Sequence, residues 1–180
     1  YDNAGYSLST GYDVDGDGYT ELLTGAPGSD SHGNDSGKVY LIPGGPNITE
    51  RNSLSNTPIQ ISGSTEAMQL GLNIAVLSDM DHDGFAEIVT SGLKDEALDD
   101  NAATYLFLGD DLTDEMTTGQ ASAVFTSGDT NISLVPNTVT NYDGQYYDTM
   151  GPYADMAITY SNTTTHETSV FLMLGQETKP

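Results

Sequence analysis

Cysteine is missing from this 180-residue chain, which removes disulfides and thiolate metal sites without choosing a compartment. Basic residues are nearly missing: 4 Lys+Arg stand against 27 Asp+Glu, a formal net charge of −23. Phosphate binding needs cationic side chains that release counterions, so no nucleic acid partner is expected. An anionic membrane surface would repel the protein for the same reason. No apolar run approaches the ~18 residues of a membrane span, so no membrane insertion is expected either. Apolar residues amount to 36%, below a usual share of about 45–50% that includes glycine. Convincing helical periodicity is missing. So are catalytic signatures. His32, His82 and His166 have no neighbours that suggest a triad, and there is no G-x-S-x-G elbow or phosphate-cradling glycine motif. The reading is therefore non-enzymatic. An initiator methionine and a leader are missing too; the chain opens at Tyr1 inside repeat sequence, as if a leader had been removed or the chain were an excerpt.

What is present is a set of short runs rich in β-branched, leucine and aromatic residues: LLTGA, KVYLI, IQI, EIV, TYLFLG and SVFLMLG. Bounded by Gly, Asp and Ser, they read as strands. They recur. Asp13-Val-Asp-Gly-Asp-Gly-Tyr-Thr-Glu21 matches Asp79-Met-Asp-His-Asp-Gly-Phe-Ala-Glu87 at every acidic position, 66 residues on. Around them, Gly5-Tyr6-Ser7-Leu8 aligns with Gly71-Leu72-Asn73-Ile74, KVYLIPGG with ATYLFLGD, and TPIQISGS with ASAVFTSG. A third, worn copy places a first strand at Ile132–Thr140, a second at Tyr153–Thr159 and a third at Ser169–Gly175, without an acidic loop and without a fourth strand. The chain thus reads as a single all-β region, 1–180, in repeats of approximately 1–66, 67–131 and 132–180. Each repeat runs strand, acidic loop, strand, long loop, strand, turn, strand. Four strands in a repeat of this length is the signature of a β-propeller blade.

Calcium takes six to eight oxygens at about 2.3–2.6 Å. Alternate aspartates on a curled loop turn three carboxylates inward, and Gly18 and Gly84 permit a turn most residues resist. The predicted ligands are Asp13, Asp15, Asp17, the carbonyl of Tyr19 and Glu21, and in the second loop Asp79, Asp81, Asp83, the carbonyl of Phe85 and Glu87. Without a cation four carboxylates would crowd one site and repel. Two Ca2+ ions are expected. A helical EF-hand is rejected: its closing Glu stands at position 12, where these loops have Thr24 and Thr90, and the flanks here are strands.

These features resemble the FG-GAP repeat, the blade unit of integrin alpha-subunit propellers. Gly5-Tyr6 stands in for the Phe-Gly pair and Gly25-Ala26-Pro27 is the GAP; the second copy has Ser91-Gly92-Leu93 there, and the third keeps neither element. The resemblance implies calcium held between the first two strands of a blade as a structural brace. It also implies an extracellular or cell-surface setting, often adhesive.

Three functions fit this reading. The first is a calcium-braced, non-enzymatic surface or adhesion module. The second is a self-assembling subunit of a surface fibre or oligomer. The third is a carbohydrate-binding (lectin-like) or polysaccharide-processing domain, for which the 11 tyrosines would supply a face unless they fill inter-blade packing and loop surfaces. Expected partners are further blades of the same protein or copies of itself, with a protein or glycan ligand. The segment Thr168–Leu174 is apolar and uncharged, an edge that another polypeptide is expected to cover. The sequons at Asn34, Asn47, Asn131 and Asn162 fit either glycosylation acceptors of a secreted protein or unmodified asparagines in loops.

Overall fold

The structure, a computed structural model, describes residues 1–46, 53–95, 98, 101–126, 134–142, 155–162 and 168–173. The first repeat folds as four strands, β1 (Ser7–Thr10), β2 (Leu22–Ala26), β3 (Lys38–Ile42) and β4 (Ile59–Ser62). Each pairs antiparallel with the next, with Leu8 opposite Thr24, Leu23 opposite Leu41 and Val39 opposite Ile61. The second repeat gives β5 (Asn73–Val76), β6 (Ile88–Asp95), β7 (Asn101–Phe107), β8 (Glu115–Thr117) and β9 (Ala123–Thr126). Here β5, β6, β7 and β9 form the second sheet, in the same antiparallel order. The third repeat gives β10 (Leu134–Tyr142), β11 (Asp155–Asn162) and β12 (Thr168–Met173) as a third sheet. The fold is all-β, built of β-propeller-type blades.

Period-two alternation explains how the sheets stack, because successive strand residues face opposite sides. In the second sheet, Ile74, Val76, Ile88, Ala103, Tyr105 and Phe107 enter one core with Leu23, Val39, Leu41 and Ile61 of the first sheet. The intervening Ala75, Leu77, Val89 and Leu106 enter a second core with Met156 and Ile158 of β11. The second blade is therefore apolar on both faces, each face serving a different neighbour. The first sheet approaches closely at Gly25, the glycine of GAP: a Cβ there would lie 2.1 Å from the Gly71 carbonyl oxygen. Ser7 Oγ donates to that same oxygen at 2.6 Å.

One feature departs from the sequence reading. The second repeat has five strands where four were predicted. The extra one, β8, leaves its own sheet and pairs parallel with β4, setting Met116 opposite Ile61. Met116 is buried in the first core, so apolar burial holds this three-residue strand where its own sequence carries little strand preference. The tyrosines divide: Tyr40 and Tyr105, at matching places opposite Thr24 and Thr90, are buried, whereas Tyr6, Tyr12 and Tyr19 are exposed. In the third repeat, the predicted segments 132–133, 153–154 and 174–175 lie outside the described residues. Its strand β12 has no strand partner beyond β11 among the described residues. Asn34 is exposed in the β2–β3 loop, and Asn47 and Asn131 lie outside the described residues.

Candidate metal centre

Each acidic loop bridges the first two strands of a blade, β1 to β2 and β5 to β6, which pair antiparallel and so fix its ends. Within the first loop the aspartates are organised by backbone amides. Asp13 accepts from Gly16 N–H at 2.7 Å through one oxygen and from Gly18 N–H at 2.8 Å through the other. Asp15 accepts from Asp17 N–H at 3.3 Å, and Asp17 from Tyr19 N–H at 2.9 Å. The second loop repeats the scheme. Asp79 accepts from Asp83 N–H at 3.2 Å and Gly84 N–H at 2.9 Å, Asp81 from Asp83 N–H at 3.3 Å, and Asp83 from Phe85 N–H at 2.8 Å. These side-chain-to-amide turns are what aspartate does locally. They curl the chain through Gly18 at φ +90° and Gly84 at φ +98°, a region open to glycine. As a result Asp13, Asp15, Asp17 and Glu21 each bring an oxygen within 4.8 Å of the others, and so do Asp79, Asp81, Asp83 and Glu87.

The closing glutamates are fully buried, both at 0% exposure, yet their surroundings differ. Glu21 accepts from Val14 N–H at 2.5 Å and from Gly44 N–H at 3.3 Å, one amide per oxygen. Glu87 accepts from Met80 N–H at 2.9 Å, while its Oε1 is buried without a hydrogen-bond partner. The cause lies after the third strand. In the first repeat β3 leads through Pro43 to Gly44, whose amide turns inward. In the second, Gly109 occupies that place and opens a 3-10 turn, Gly109–Asp111. Burial raises the Glu21 carboxyl above its ordinary range, the two amides pull it back, and Asp15 and Asp13 add repulsion. Burial pushes Glu87 up to about 8, against the Met80 amide and with the repulsion of Asp81, Asp79 and Asp83. Asp81 is raised by burial and then by the Asp83 charge.

The structure thus brings together all eight carboxylates named from the sequence. It fixes Tyr19 and Phe85 through their amides, the N–H of position seven tied to the aspartate of position five. Sequence reasoning missed the second layer: the amides of Val14, Met80 and Gly44. The recurrence of glycine after the third strand, Gly44 and Gly109, was the signal available for Gly44. Of the histidines, His82 sits in the second loop at φ +63°, and His32 is exposed in the β2–β3 loop. His166 lies outside the described residues.

The family model of the FG-GAP repeat matches residues 4–42, from the turn before β1 to the end of β3. Integrin alpha-PS2 of Drosophila melanogaster is 35% identical over 111 residues, 58% of this chain and 8% of that protein. Integrin alpha-11 of Homo sapiens is 33% identical over 103 residues, 56% of this chain and 8% of that protein. The chain therefore spans about 8% of the length of the curated relatives it matches. Residues 4–42 thus match the FG-GAP repeat, within an all-β chain similar to integrin alpha subunits.

Proposed function

We propose that the chain is a calcium-braced, non-enzymatic adhesion module of an extracellular or cell-surface protein. The observation that carries this reading is Glu87: a fully buried carboxylate, one oxygen without a partner, facing three aspartates. Leaving such a group ionised and unpaired is costly, and a hard divalent cation with oxygen ligands removes that cost. Asp13, Asp15, Asp17, Glu21 and the Tyr19 carbonyl would hold one ion; Asp79, Asp81, Asp83, Glu87 and the Phe85 carbonyl would hold the other. When bound, calcium supplies charge neutralisation and a rigid link between the first two strands of a blade. The chain's own residues supply the rest: the amide-anchored aspartates preorganise each loop, and the buried glutamates tie it to the blade.

Melting the chain in calcium and in chelator tests this. At a calcium concentration 100 times Kd, each site adds about 2.7 kcal/mol. Asp15→Ala should lose one such share in calcium and change little in chelator. An equal drop in both would show that Asp15 acts without a metal. Affinity should sit near the ~10⁻⁴–10⁻³ M of extracellular modules.

One observation favours a partner on the first sheet. Leu8 is 63% exposed, while Ile74, which takes the same place in the second sheet opposite Thr90, is buried against the preceding blade. The first sheet thus offers the same kind of face, which a further blade of the same protein or another copy would cover. Light scattering with and without calcium tests self-association: a strict monomer with a protected β12 would exclude copies as the partner.

A further inference from the structure

We infer that the two acidic loops bind calcium cooperatively, each preparing the other through direct contacts between the loops. This rests on the calcium reading above and deepens it.

The contact is built from the two loops themselves. The carbonyl of Asp13 accepts a hydrogen bond from Ala86 N–H at 2.9 Å. Asp13 is the first ligand of one loop, and Ala86 stands between Phe85 and Glu87, the last two ligands of the other. Beside this bond the loops interlock sterically. Gly16, at φ +75°, lies under the Phe85 ring, and a Cβ placed on it would come within 2.6 Å of that ring. Val14, whose amide holds Glu21, is fully buried in the same core as Ala86. Gly109 closes the seam: a Cβ there would meet the Ala86 carbonyl and Phe85 Cβ at 2.6 Å and the Val14 carbonyl at 3.0 Å. The first loop cannot shift its Asp13–Gly16 backbone without moving Ala86 and the Phe85 ring.

A cation in the first loop fixes Asp13, Asp15 and Asp17, and so fixes the backbone against which Phe85 and Ala86 are set. The second ion then meets a loop already ordered, so less conformational freedom is lost when it binds. Thermodynamic linkage makes the effect reciprocal. The coupling runs between successive blades, since each loop belongs to a different sheet.

Calcium titration of the 180-residue chain by calorimetry tests the inference. Asp81→Asn with Asp83→Asn disables the second loop, and the affinity of the first should then fall about 5-fold or more. Asp15→Asn with Asp17→Asn should weaken the second by the same factor. Phe85→Ala should bring the factor towards one, and Phe85→Tyr should restore it, because tyrosine already stands at that position in the first loop. Terbium, whose luminescence a neighbouring tyrosine sensitises, reads the first loop through Tyr19 in the unmodified chain, so the result does not depend on any variant folding. A Hill coefficient above one is expected there. Either loop keeping its full affinity when the other is disabled, or a coefficient of one or below, would overturn the coupling and leave calcium binding standing. No calcium uptake by the unmodified chain would remove the calcium reading itself.

Discussion

The two acidic loops carry the same carboxylates at the same spacing, yet one closing glutamate is at rest and the other is not. Glu21 has an amide for each oxygen; Glu87 has one amide and an orphan Oε1. The difference is made outside the loops, by the backbone path after the third strand. A nine-residue motif therefore specifies which groups meet. Whether the meeting is tolerable without a cation depends on a glycine more than twenty residues downstream.

The largest expected effect is on pH dependence in calcium-free buffer. The Glu87 carboxyl is raised from 4.5 to about 8 in the fold, so the native chain holds that proton more tightly than the unfolded one. This contribution is complete below about pH 4.5 and is lost as pH rises through about 8. Glu21 and Asp81 are shifted in the same direction. Each pH unit across that window is worth at most about 1.4 kcal/mol. Denaturation across a pH series should show stability declining from pH 5 to pH 8. Glu87→Gln should flatten the upper part of the decline. In calcium the slope should reverse, because the ligands must be ionised to bind. A flat profile without calcium would mean that Glu87 has a partner in solution.

A smaller effect separates the two glutamates at fixed neutral pH in chelator. Glu21→Gln removes an acceptor from a charge-assisted hydrogen bond and should cost about 1.5–3 kcal/mol. Glu87→Gln should cost less, since a carboxyl raised to about 8 is already largely protonated at neutral pH and the amide replaces one neutral group with another. Equal losses in urea unfolding would erase the distinction between the loops.

Position four separates the loops as well, with Gly16 in one and His82 in the other, both at positive φ. Gly16→Ala should cost about 1–2 kcal/mol from backbone strain alone, with the Phe85 contact added. His82→Gly should change stability by no more than about 1 kcal/mol, relief of strain being offset by chain entropy. Thermal melts of the pair would show whether the interlock is one-sided.

Much of this was legible in the sequence, for physical reasons. Alternation and short apolar runs located the strands of the first two repeats and the three of the third. The acidic spacing located all eight carboxylates, because side-chain-to-amide turns are local. The recurrent glycine marked Gly44 as a special position, but the inward turn of the Gly44 and Val14 amides was not legible, because an amide's direction follows from backbone path and not from residue type. Nor was β8. Glu115–Thr117 is too short and polar to announce a strand, and what holds it is Met116 reaching a core assembled by the first two sheets. The interlock of Gly16 with Phe85 was equally hidden: an alignment sets these residues in parallel copies, but the fold sets them against each other.

The strand β8 also bears on the order in which the chain can fold. Gln60 pairs with Glu115 and Ser62 with Thr117, so the first blade gains its last strand only after nearly all of the second repeat has been synthesised. Until then the outer edge of β4 is bare, and bare edges invite pairing with other chains. The unit that repeats in the sequence and the unit that folds are out of phase. A cut near residue 66, which looks like a clean repeat boundary, would release a blade with its edge uncovered, and the shortest piece that closes it extends beyond residue 117.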